Sequence, residues 1–88
     1  KWWHANEEID VVLVGSEDVL VAECKWAARP VGTDILQDLQ RKGKLIQRET
    51  GDKRLAYALC SRSGFTPQLQ ELADERTDLL LVALADMV

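Results

Sequence analysis

Four short apolar runs, Val11 to Val14, Val19 to Ala22, Leu55 to Cys60 and Leu79 to Leu84, alternate with polar stretches that carry turn and helix signals. Runs of this length, rich in Val and Leu, read as β-strands. Gly15-Ser16-Glu17-Asp18 between the first two runs is a four-residue turn, so they should fold back as an antiparallel hairpin. After Arg29-Pro30, Thr33 is placed to cap a helix running to about Glu49, with Ile35, Leu36, Leu39, Gly43 and Ile46 on one side. Gly43 weakens such a helix by roughly 1 kcal/mol relative to Ala, which points to a close approach to the sheet. Thr50-Gly51-Asp52 ends it. Leu55 to Cys60 is apolar on both faces, as a parallel strand covered by helices would be. Thr66-Pro67 then pairs a cap with a first-turn proline and opens a short helix through Leu69, Leu72 and Ala73 to about Arg76. Leu79 to Leu84 is the last buried strand. The pattern predicts an α/β fold: a mixed sheet of one antiparallel hairpin followed by parallel strands, flanked by helices.

Charge enters this hairpin where a sheet would ordinarily exclude it. If Val14 opposes Val19, then Asp10 faces Glu23 and Glu8 faces Lys25, all on one face because side chains alternate along strands. Opposed carboxylates, with Cβ atoms roughly 5 Å apart, destabilise a sheet by up to about 1 kcal/mol unless something positive lies between them. A divalent cation suits that gap, since carboxylate oxygens converge on such ions at about 2.0 to 2.6 Å. Lys25 is too tethered to neutralise both acids. Beside the ion, its ammonium would stabilise a charged phosphate oxygen or hold an attacking water. The chemistry expected of Asp10, Glu23 and Lys25 is phosphodiester hydrolysis.

An acid on one strand followed by Glu23-Cys24-Lys25 on the next resembles the PD-(D/E)xK nuclease superfamily, and within it the Mrr-type restriction endonuclease branch. The chain also resembles an uncharacterised domain at the C-terminus of archaeal-type P-loop ATPases. Trp2-Trp3, Glu8-Ile9-Asp10-Val11-Val12, Glu23-Cys24-Lys25-Trp26 and Ser63-Gly64-Phe65-Thr66 carry that likeness. The resemblance implies a restriction-endonuclease-like core whose usual first helix is missing here. It also implies Mg2+ or Mn2+ on Asp10 and Glu23, assistance of the water by Lys25, DNA as substrate and an ATPase domain in the parent chain. In related nucleases a glutamine on the helix after the motif helps organise the site, a role to which Gln40 is closest.

At 88 residues and 47% apolar content the chain is one small domain with one core. It begins Lys1-Trp2-Trp3 without Met, as a piece of a longer polypeptide would. No run is long enough to span a bilayer and no signal peptide is visible, so a cytoplasmic location is expected. Cys24 and Cys60 lack zinc-site spacing and read as small hydrophobic thiols of the core. The net charge of -4 disfavours bulk electrostatic capture of nucleic acid. The basic residues are nevertheless concentrated between Arg41 and Arg54, while acids crowd the hairpin.

Among the remaining candidates, Glu8 shares the Asp10 face and is expected to support the site or hold Lys25. Arg41, Lys44 and Arg48 continue a helical stripe from Gln37 that reads first as a solvated face, with phosphate contact as its functional alternative. Trp2, Trp3 and Trp26 read as core packing and His4 as a surface residue. The expectation is a Mg-dependent endodeoxyribonuclease domain. Its rivals are a nuclease-like binding or regulatory module attached to an ATPase, and a homodimerisation domain using exposed sheet edges.

Overall fold

The computed structural model describes residues 2–4, 7–9, 11–26 and 28–83, with side chains described from residue 11 onwards. A two-stranded antiparallel ribbon comes first, formed by β1 (Trp2–His4) and β2 (Glu7–Ile9). The main sheet has four strands in the order β3-β4-β5-β6: β3 (Val11–Val14), β4 (Asp18–Lys25), β5 (Arg54–Ser61) and β6 (Leu79–Ala83). The β3–β4 pair is antiparallel and the two later pairs are parallel, giving the mixed α/β architecture expected from the pattern.

The hairpin register is the expected one, with Val14 opposite Val19 and Val11 opposite Ala22. Its turn closes through the Gly15 N–H, which donates to the Asp18 carbonyl at 2.8 Å. Among the described residues β2 pairs with β1 and not with β4, so the Glu8–Lys25 pairing expected from an unbroken strand is replaced by Glu8 opposite Trp3. Asp10 lies outside the described residues.

Helix α1 (Thr33–Glu49) has the predicted span, but its cap residue is Gly32, in extended backbone. Thr33 is already the first helical residue, and no side chain caps this end. Leu36, Leu39, Gly43 and Ile46 are its buried face. A Cβ at Gly43 would lie 3.1 Å from Tyr57 Cε1, 3.2 Å from Val21 Cγ2 and 3.3 Å from Leu55 Cδ2, so the glycine lets the helix settle directly on β4 and β5. Helix α2 (Pro67–Glu75) starts as predicted, with the Thr66 hydroxyl accepting from the Leu69 N–H and Pro67 in the first turn.

Residues of both helices pack in one cluster with Val19, Val21, Tyr57, Leu59 and Leu79. These strand positions are all odd-numbered and share one face of the sheet. The opposite face is different. It carries the even-numbered residues of β4 to β6 and, because β3 runs antiparallel with Leu13 opposite Leu20, the odd-numbered ones of β3. Leu13 and Leu80 there are 59% and 60% exposed. Thus β5 is not covered by helices on both sides among the described residues, and β6 is a half-exposed edge strand. Cys24 and Cys60 are direct neighbours in the β4–β5 register on that second face, half-buried and not joined by a disulfide, and so lie outside the helix-covered core. Trp26 is 67% exposed instead of packed, because β4 has ended at Lys25 and its side chain lies beyond the sheet.

Candidate functional site

Glu23 occupies the helix-covered face of β4, two residues beyond Val21, and is only 7% exposed. A carboxylate withdrawn from water to this degree needs compensating charge or hydrogen bonds. Two ammonium groups supply it. Lys25 Nζ lies 3.4 Å from Glu23 Oε2, and Lys42 Nζ lies 3.3 Å from Oε1. Lys42 also reaches Asp38, one helical turn earlier on α1, at 3.1 Å. The seating of α1 at Gly43 explains the contact, since the adjacent Lys42 is carried down to the strand with its side chain 13% exposed. Ion-paired N–H···O bonds are ordinarily about 2.7 to 2.9 Å. Both contacts to Glu23 are longer, so its carboxylate is held loosely on each side.

The charges respond to this packing. Burial is the largest influence on Lys42 and lowers its proton affinity, but the hydrogen bond to Asp38 and the charge and hydrogen bond of Glu23 outweigh it, leaving the ammonium above the usual lysine range. The hydrogen bond from Arg41 is the main reason that Asp38 titrates below the ordinary carboxylate range.

The backbone around Lys25 is fixed at the C-terminal end of the parallel strands, where ligands of open α/β sheets commonly bind. Its carbonyl accepts from the Arg62 N–H at 3.1 Å. Beside it in the register lies Ser61, fully buried, whose hydroxyl accepts from the Ser63 N–H at 3.2 Å. The loops after β4 and β5 are tied together where the Val31 N–H donates to Gly64 and the Thr66 N–H donates to Val31, each at 2.9 Å. Between the end of β4, the loop that follows it and α1 opens a cleft of about 150 Å³ lined by Lys25, Arg29, Pro30, Val31 and Ile35. Lys25 therefore belongs both to the Glu23 cluster and to the wall of an open, cationic cleft.

The other sequence candidates fall elsewhere. Arg41, Lys44 and Arg48 are exposed along α1, with Arg41 paired to Asp38 at 2.8 Å. Gln40 is half-buried, and its side-chain oxygen, in the orientation that satisfies both amide groups, accepts from Arg76 at 2.7 and 3.2 Å. Arg76 in turn forks onto Asp78 at 2.7 and 2.8 Å and lies over the Tyr57 ring. The side chains of Glu8, His4, Trp2 and Trp3, like Asp10, lie outside the described residues. Lys42 and Ser61 were not singled out from the sequence. The four-residue spacing of Asp38 and Lys42 was the available signal for the former.

Glu23 offers the hard oxygen donors that Mg2+ and Mn2+ prefer, and its loose ion pairs leave it exchangeable. Among the described residues no three acid, His or Cys side chains converge as a ready-made metal cage. Glu23 has the donor chemistry to serve as one ligand of a divalent ion.

No curated protein and no solved structure matches the chain. A family described as Archaea bacterial proteins of unknown function, DUF234, matches residues 1–44, a segment that includes Asp10, Glu23, Lys25 and Lys42. That segment is half of the 88 residues, and the chain belongs to the DUF234 family.

Proposed function

We propose that this domain hydrolyses nucleic-acid phosphodiester bonds, with DNA as the substrate, in a metal-dependent reaction of the PD-(D/E)xK nuclease type. The observation that supports the reading is buried Glu23 beside Lys25 on one sheet face, with Lys25 also forming part of the wall of a cationic cleft. Glu23, together with Asp10, would hold Mg2+ or Mn2+. When bound, such an ion polarises a phosphoryl oxygen and acidifies its water. Lys25 has a half-exposed ammonium with which to orient the attacking water or neutralise a phosphate oxygen. Arg29 extends the positive wall of the cleft, and exposed Arg41, Lys44 and Arg48 offer more distant phosphate contacts.

A second reading, a nuclease-like module with weak or no hydrolysis that serves an ATPase, is favoured by one feature. Both oxygens of Glu23 already carry a lysine partner. Conversion of supercoiled plasmid to nicked or linear forms in Mg2+ or Mn2+ separates the two. The hydrolytic reading expects cleavage that Lys25→Ala lowers by at least about 100-fold, the usual range for loss of a positioned electrostatic or proton-transfer group. Equal behaviour of wild type and Lys25→Ala contradicts it.

A further inference from the structure

Lys42 touches two carboxylates that differ in their access to water. Its ammonium is 3.3 Å from Glu23, whose side chain is 9% exposed, and 3.1 Å from Asp38, whose side chain is 45% exposed. We infer that Lys42 is a resident counter-ion that takes the place of a divalent cation at Glu23, and that cation binding shifts its ammonium onto Asp38. The inference rests on the metal-dependent reading of the same site and adds a positioning residue to it.

Three features carry it. First, a divalent ion on a Glu23 oxygen would stand within a few ångströms of two ammonium groups, and like charges at that separation in a water-poor site repel strongly. At least one ammonium has to withdraw. Second, Lys42 already has somewhere to go: Asp38 lies four residues earlier on the same helix, at hydrogen-bond distance and towards solvent. A small rotation of the lysine stem loosens one pair while keeping the other. Third, the contact to be surrendered is the longer of the two, and neither is as short as a tight ion pair. Lys42 thus keeps Glu23 compensated when the ion is absent and raises the concentration of ion needed to fill the site.

Manganese titration by calorimetry tests this on wild type, Lys42→Met, Asp38→Asn and Glu23→Gln. Lys42→Met keeps the apolar stem and removes the competitor, so Mn2+ should bind about tenfold more tightly, the equivalent of one charge-assisted hydrogen bond. Asp38→Asn leaves Lys42 without its outer partner and should weaken binding several-fold. A merely structural lysine would not give opposite effects in these two variants. Thermal melting supplies a second readout: Lys42→Met should melt lower than wild type in chelator and gain more from saturating Mn2+. Glu23-dependent binding by wild type that is unchanged or weakened in Lys42→Met overturns the inference and leaves the metal-dependent reading standing. Loss of all Glu23-dependent binding, in every variant, overturns both.

Discussion

Glu23 and Lys42, nineteen positions apart and on different elements, meet at 3.3 Å beneath the helix that crosses the sheet. Their contact joins the fold to the proposed chemistry, because the buried carboxylate needs a positive neighbour before any ligand arrives. Removing one partner strands the other in a water-poor place. Lys42→Ala should therefore cost about 2 kcal/mol, and the double variant Lys42→Ala/Glu23→Gln should recover at least about 1 kcal/mol of the summed single losses. Urea denaturation of the four proteins in chelator measures this coupling, and strictly additive losses would contradict it.

The close seating of α1 makes a second prediction. Ala at position 43 gains roughly 1 kcal/mol of helix propensity, but its methyl would stand 3.1 to 3.3 Å from Tyr57, Val21 and Leu55. Overpacking of this kind costs about 1 to 3 kcal/mol, so Gly43→Ala should be net destabilising by about 1 kcal/mol and should also loosen the Lys42–Glu23 contact. A denaturation midpoint above that of wild type would show that the helix has room to lift.

Acid should weaken the far end of the sheet in a defined direction. The Arg76 hydrogen bonds hold Asp78 below its ordinary carboxylate range, against the opposing pull of burial. Because its folded value is depressed, the unfolded chain takes up this proton first as pH falls. The stabilisation is therefore present above the unfolded value of about 3.9 and is lost as pH drops through the folded one. Asp78 is 39% exposed, and solvent screening limits the effect to less than about 1 kcal/mol. Wild type should exceed Asp78→Asn in stability at pH 6, with the difference shrinking as pH falls below the ordinary carboxylate value of about 3.9.

Local signals made much of this architecture legible. The hairpin register follows from Val, Gly and acid placement over a dozen residues, and α2 begins where Thr66-Pro67 says it should. Glu23 and Lys25 share a face because strand alternation is a short-range rule. What the sequence obscured depends on contacts made at distance. Lys42 looks like one more basic residue of a solvated helix until Gly43 lowers that helix onto β4. Ser61 looks like a polar strand end until the register buries it beside Lys25. Trp26 reads as core on its apolar area, a rule that fails when the backbone has already left the sheet.

The most direct measurement is a crystal structure of the protein soaked with Mn2+, read by anomalous scattering from the metal. The account predicts a manganese peak about 2.0 to 2.6 Å from a Glu23 carboxylate oxygen, with Lys42 withdrawn towards Asp38. Manganese bound away from Glu23, or a Glu23–Lys42 contact unchanged at saturating metal, would contradict it.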